Sequence, residues 1–146
     1  MFKLNRKTEY ALLALRVLRA RSPHEHVRTK AIAEHYRIPV QILAKVLQAL
    51  KAHGLVAATT GPTGGYRLNR PLTEISFAEV FACFTGSVGL VDCVEASGCC
   101  EQDAHCDIQT PMRILSASIF SFLENISIAD LFATGFQETE TLSLAR

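Results

Sequence analysis

Residues 29–68 carry the pattern that most narrows the fold: two helical stretches split by a tight break, then a glycine-rich hairpin. Ile32 and Ala33 are expected to face inward on a short helix over residues 29–36. Arg37-Ile38-Pro39 ends it, because proline disfavours a helical residue before it yet is accepted near the start of the next helix. A longer helix is predicted over residues 40–53, with Gly54 as a left-handed cap beyond it. Val40, Leu43, Val46, Leu47 and Leu50 share one face of this helix and are the expected core. Helix, tight turn and longer helix together make a helix-turn-helix. Residues 55–60 read as a strand, Gly61-Pro62-Thr63-Gly64-Gly65 as a dense turn, and Tyr66-Arg67-Leu68 as the returning strand. A hairpin directly after a helix-turn-helix is a wing.

The flanking segments are helical too. Residues 6–20 place Tyr10, Leu13, Ala14, Val17 and Leu18 at helical spacing, and Leu12 and Leu15 widen the apolar surface enough for burial on more than one side. His24-Glu25-His26 reads as an exposed connection rather than a metal site. Ser76 with Glu79 forms a capping box for a helix over residues 77–85. Pro111 sits in the first turn of a helix expected to end near Asn125. Met112, Leu115, Ile119, Phe122 and Ile126 form a narrow seam along it, flanked by Phe120 and Leu123. A last short helix is expected over residues 127–132. The fold class is therefore mainly α with a small β hairpin. The divisions are a winged helix-turn-helix domain over 1–85, a cysteine loop over 86–110, a dimerisation helix region over 111–133 and a flexible tail over 134–146.

Charge divides the chain in the same way. Residues 1–70 hold thirteen Lys or Arg against Glu9, Glu25 and Glu34, a formal +10. Residues 71–146 hold Arg113 and Arg146 against eleven acidic residues, a formal −9. Opposite halves of opposite sign imply two tasks, and the basic one suits a polyanion. Opposite the core face of residues 40–53, Gln41, Lys45 and Gln48 form a polar stripe. Gln pairs with an adenine edge, and Lys reaches guanine acceptors or phosphate. Arg28, Lys30, Arg37, Arg67 and Arg70 suit phosphates, which set register and salt dependence. Gly64 and Gly65 would let the wing backbone approach a duplex without a side chain between. No nucleophile–base pair or phosphate-cradling loop points to an enzyme. No apolar run is long enough to span a bilayer and no leader is evident, so a cytoplasmic location is expected.

Five cysteines occur, at 83, 93, 99, 100 and 106. Cys83, between Phe81 and Phe84, reads as a small core residue. The other four lie within fourteen residues, at spacings unlike the tight pairs of common zinc sites. By spacing alone an iron–sulfur centre, a zinc site and a metal-free thiol switch stand close together.

Lys7-Thr8-Glu9-Tyr10-Ala11, Gly54-Leu55-Val56, the wing from Gly61 to Leu68 and the late cysteines together resemble the bacterial IscR/NsrR family of iron–sulfur regulators. The resemblance covers residues 1 to about 133. It implies a homodimer on double-stranded promoter DNA whose affinity follows an iron–sulfur cluster sensing redox state, nitric oxide or iron–sulfur status. It also implies three cysteine ligands and a fourth of another kind. Cys93 and Cys106 match the outer ligands, and Cys99 or Cys100 the middle one. Where one version of the family has a histidine three residues after the last cysteine, this chain has Gln109. Other members take a carboxylate from the first helix of the partner subunit, and Glu9 occupies that region, with His105 or solvent as the alternatives. A 2Fe–2S centre is preferred over 4Fe–4S. The rival readings are a metal-free or zinc-dependent regulator, an iron–sulfur carrier and a protein-interaction module.

Overall fold

A computed structural model describes residues 4–62, 64–85 and 106–134. Six helices and one hairpin follow in the order α1 (Arg6–Arg19), α2 (Thr29–Tyr36), α3 (Val40–Ala52), β1 (Val56–Thr59), β2 (Gly65–Leu68), α4 (Phe77–Thr85), α5 (Gln109–Glu124) and α6 (Ile128–Thr134). A single 3₁₀ turn, Leu72–Glu74, joins the hairpin to α4. The architecture is the expected winged helix-turn-helix with an added long helix.

The start of α1 is set by Asn5, whose side-chain oxygen accepts the Thr8 backbone N–H at 2.8 Å and the Thr8 hydroxyl at 3.0 Å. That pairing lets Thr8 be fully buried. Ala11, Ala14, Leu15 and Leu18 bury one stripe of α1, while Tyr10, Leu12, Leu13 and Val17 are half-buried against the same core. The wide apolar surface is thus used on several sides.

The helix-turn-helix is built from one capping motif used twice. After α3, Gly54 takes φ 73°, its N–H bonds Lys51 O at 2.9 Å, and the Leu55 N–H bonds Leu50 O at 3.0 Å. This is the Schellman arrangement, with Leu55 packed back on the helix it closes. After α2, Arg37 takes φ 54° and the Ile38 N–H bonds Ala33 O at 2.9 Å, with Ile38 buried. The break expected from Pro39 is therefore made two residues earlier by a left-handed arginine. Pro39 serves as the cap residue before α3.

The core joins α1, α2, α3, α4 and both ends of the hairpin segment. Leu43, Val46, Leu47 and Leu50 of α3 are each at most 1% exposed, and full burial of such side chains is worth about 1.5–3 kcal/mol apiece. Val40 is different. The sequence reading put it in the core, but it is 46% exposed. It has the right angular position yet lies in the first turn, beyond Leu43, where the face has no neighbour left to cover it.

The hairpin pairs Val56 with Leu68 and Thr59 with Gly65. Residue 27 adds a third edge, because the Val27 N–H bonds Tyr66 O at 2.8 Å and the Tyr66 N–H bonds Val27 O at 2.9 Å. The capping box is formed as expected: the Ser76 N–H bonds Glu79 Oε2 at 2.8 Å and the Glu79 N–H bonds Ser76 Oγ at 3.2 Å. The segment joining α5 to α6 is hydrogen-bonded to this body beside the start of α4. The Phe77 N–H bonds Ile126 O and the Ile128 N–H bonds Ile75 O, both at 2.8 Å, and Ile75 and Ile128 are fully buried.

Candidate nucleic-acid interface and cysteine region

α3 owes its exposed face to the completeness of its buried one. With Leu43, Val46, Leu47 and Leu50 inside, Gln41, Lys45 and Gln48 are left pointing to solvent along one stripe. All three sequence-predicted base readers are therefore accessible and on one helix face. No side chain caps the N-terminus of α3, so its positive end is open to an anion. Two residues missed by the sequence reading lie there as well. Val40 and Ile42 are 46% and 41% exposed, and together with Gln41 they put apolar surface where a thymine methyl group is normally met. The only cue was their first-turn position, which periodicity does not weigh.

The expected phosphate contacts divide into two groups. Lys30 and Arg37 are exposed, and Lys30 has only a loose surface pair with Glu34 at 3.8 Å. Arg28 is exposed and its guanidinium donates to the Pro62 carbonyl, fastening the tip of the wing to the start of α2. Arg67 is half-buried and donates to Leu68 O at 3.3 Å. Arg70 does not fit its expected role. It is engaged internally, donating to Glu74 O at 2.7 Å and forming an ion pair with Glu79. Burial works against ionisation of Glu79. Hydrogen bonds from Arg70 and from the Ser76 backbone, with the Arg70 charge, outweigh it and hold the carboxyl below its ordinary value.

The wing glycines have a reason internal to the fold. A Cβ on Gly64 would sit 2.2 Å from Thr59 O, and one on Gly65 would sit 2.5 Å from Val27 O. Gly64 is moreover buried. These residues allow the backbones of the three wing segments to close on each other, which accounts for them without a duplex.

Of the cysteine region, Cys93, Cys99, Cys100 and His105 lie outside the described residues. Among the described residues no group of three or more His, Cys, Asp or Glu is placed to hold a metal. Cys106 is half-buried just before α5, and Gln109 opens that helix. Cys83 is the other described thiol, and its chemistry is unlike a ligand's. Burial pushes it up to about 11, with the nearby Glu79 charge adding to the rise, and its Sγ donates to Glu79 O at 3.2 Å. It is a neutral core thiol, as its sequence context implied. Glu9 is exposed in the first turn of α1 and takes part in no ion pair among the described residues. The Asn5 side chain donates to Phe84 O at 3.3 Å. That contact brings the first turn of α1 against the end of α4, where the chain leaves toward the cysteines.

α5 turns apolar side chains outward. Ile108, just before it, is 62% exposed; Leu115 and Phe122, at successive seven-residue steps, are 44% and 65% exposed, and Ile114 beside them is 62% exposed. Ser116 is its one buried residue. Ile126, placed on the seam by periodicity, instead lies past the helix end and packs on the chain's own core.

Comparisons with known proteins agree with this architecture. The pattern of the Rrf2 family, described as an iron-dependent transcriptional regulator, matches residues 4–134. The chain is 34% identical over 131 residues to the HTH-type transcriptional regulator IscR of Vibrio vulnificus, covering 90% of this chain and 77% of that one. It is 33% identical over 129 residues to that of Serratia proteamaculans, covering 88% and 78%. Among solved structures, CymR, the global cysteine regulator of B. subtilis, superposes with a TM-score of 0.69 at 22% identity, over 92% of this chain and 98% of that chain. T. potens IscR superposes with a TM-score of 0.68 at 22% identity, over 96% and 94%.

Proposed function

We propose, from the premise that this chain belongs to the Rrf2 family of transcriptional regulators, that it reads promoter DNA with α3 under the control of an iron–sulfur centre at its cysteine region. DNA recognition is carried by one observation: the exposed stripe of Gln41, Lys45 and Gln48 on a helix whose opposite face buries Leu43, Val46, Leu47 and Leu50. Gln41, Lys45 and Gln48 meet base edges. Arg28, Lys30, Arg37 and Arg67 meet phosphates, with Arg28 also holding the wing in place. Val40 and Ile42 add apolar contact at the end of α3 that enters the groove first.

Cys93, Cys106 and either Cys99 or Cys100 are the thiolate ligands in this reading, and Glu9 of the partner subunit is the fourth. The donor set fits: three soft thiolates with one harder ligand is within the range used by iron–sulfur proteins. Cys106 stands at the foot of α5, and Glu9 is exposed and outside any ion pair among the described residues. Cys83, packed against the core with its Sγ donating to Glu79 O, is left out of the set. Such a centre, most simply 2Fe–2S, supplies a link between subunits that oxidants or nitric oxide can remove.

The protein's own part is to convert that link into spacing. The outward face of Ile108, Leu115 and Phe122 joins two copies into a homodimer. The two α3 helices must then lie about 34 Å apart to enter successive major grooves. Holding the cluster between the cysteines and Glu9 of the partner subunit favours one spacing over another, and only such differential stabilisation changes affinity. A cytoplasmic location accords with thiolate ligands, and among the described residues no helix is long and apolar enough to cross a membrane.

The deciding experiment is visible absorption and native mass on anaerobically purified protein, with and without Glu9→Ala. A coloured dimer is expected, with Glu9→Ala altering the spectrum and loosening the cluster. A colourless protein that still binds its promoter would favour the metal-free thiol switch. Equal promoter affinity with and without the cluster would remove the proposed control.

A further inference from the structure

A cleft of about 530 Å³ lies where the end of α1, the outgoing end of β2, the 3₁₀ turn and α6 converge. Its volume is that of small-ligand pockets, which run from roughly 300 to 1,000 Å³. Leu68, Pro71 and Ala129 contribute apolar wall over the buried Leu18 and Leu72, and Arg19, Arg21, Arg67 and Arg70 line it from two sides. No acidic side chain is among its lining residues in the described structure. Two of the four arginines are compensated from outside, Arg21 by Glu25 at 3.2 Å and Arg70 by Glu79. Arg19 and Arg67 are in no ion pair among the described residues. The cleft therefore has a net positive lining over an apolar floor.

That combination selects its occupant. Guanidinium groups match carboxylates and phosphates as paired donors, and their attraction strengthens away from bulk water. A DNA backbone would satisfy the charge but would leave the recessed Leu and Ala surface uncovered. We propose that this cleft is a binding site for a small organic anion, a carboxylate or phosphate borne on a short apolar body. It is a second ligand site, built from α1, β2 and α6 and not from the cysteine region, so it stands whether or not the cluster reading does. A ligand held there would touch the wing strand and α6 at once, which gives it a physical route to the DNA-reading domain.

The test is titration calorimetry of the full chain with phenyl phosphate and with benzoate, using benzyl alcohol as the uncharged probe. Binding of either anion, weakened by salt, with no binding of benzyl alcohol, is the expected result. Arg19→Glu, at an exposed position, should weaken it by roughly tenfold or more, since one charge-assisted contact is lost and a repulsion added. Ala129→Phe, which fills the recess, should weaken it without a change of charge. Melting curves identify any variant that fails to fold, and the other variant then decides. Three outcomes overturn the proposal: neither anion binds, both folded variants bind as tightly as the parent, or benzyl alcohol binds as tightly as the anions.

Discussion

α3 and α5 are of similar length, 13 and 16 residues, yet they dispose of their apolar side chains in opposite ways. α3 hides four large aliphatic residues completely and turns a polar stripe outward. α5 buries only Ser116 and leaves Ile114, Leu115 and Phe122 in solvent. The first pattern belongs to a helix whose partners are all in its own chain, with its outer face kept for a hydrated, charged target. The second is the pattern the proposed homodimer requires, of a helix whose packing would be completed by another molecule. The formal charges agree, since the basic half would bind a polyanion while the acidic half would be repelled by it. In the proposed reading one chain separates base reading from assembly, and the hydrogen bonds at Ile75–Ile128 and Phe77–Ile126 hold the junction of α5 and α6 to the winged domain.

The contrast is broken most severely by emptying the core of α3. Leu47 is fully buried, so Leu47→Ala should cost about 2–5 kcal/mol in urea unfolding and take DNA binding with it. Phe122→Ala, at 65% exposure, should leave the folded body within about 1 kcal/mol of the parent. Equal costs at the two positions would mean that α5 is core in the same sense as α3, and the comparison would fail. Next in size is the assembly face. Charges at the centre of an apolar interface typically remove more than about 2 kcal/mol of association each. Leu115→Asp with Phe122→Asp should therefore reduce the native mass to the 16.0 kDa of one chain while leaving helical content intact.

Much of this was legible in the sequence, for reasons that particular residues make plain. Ser76 and Glu79 form the expected capping box because both halves of that motif are local and both signals agree. The core of α3 was legible from periodicity alone. Val40 and Ile126 were not, because angular position says which way a residue points and not whether anything lies there to cover it. The left-handed Arg37 was hidden for a different reason. Its conformation is imposed by Ile38 packing behind it, and no glycine marks the place. Arg70 and Arg67 look alike in the sequence, yet Glu79, nine residues beyond Arg70, engages only Arg70 in an ion pair. The strand edge at Val27 could not be foreseen, since a single bridge has no pattern of its own. The exposed polar stripe of α3 was thus readable, whereas the packing role of Gly64 and Gly65 became clear only with Thr59 and Val27 in place.

The reading face itself is sharpened by Lys45→Ala and Gln41→Ala, both exposed and therefore expected to fold as the parent does. Gln41→Ala should cost about 1–3 kcal/mol on the preferred operator and relax its sequence preference, as loss of a base contact does. Lys45→Ala discriminates between two jobs. If it reads a base, the loss is confined to one operator position. If it meets phosphate, affinity falls on every sequence and the salt slope decreases by about one. Fluorescence anisotropy at several salt concentrations separates these, and no change with either variant would remove α3 from the interface.

The smallest effect tests the junction between the wing and α4. Glu79 closes the capping box of α4 and pairs with Arg70, which also holds Glu74 O. Its carboxyl is held below 4.5, so the unfolded chain binds that proton more readily than the folded one. Stability therefore rises with pH through this range, and the contribution is full above the unfolded value and lost as pH falls through the lower, folded one. Both partners are about a third or more exposed, 33% and 41%, so solvent screening limits the ion pair to no more than about 1 kcal/mol. Glu79→Gln keeps most of the shape and removes the charge. Its deficit in urea unfolding should be largest near neutral pH and should shrink toward zero well below 4.5, where the parent's carboxyl is itself protonated. A deficit that stays constant across that range would mean that Glu79 acts through packing and capping alone. The charge it places beside Arg70 would then have no part in fastening the wing segment to the helix that leads to the cysteines.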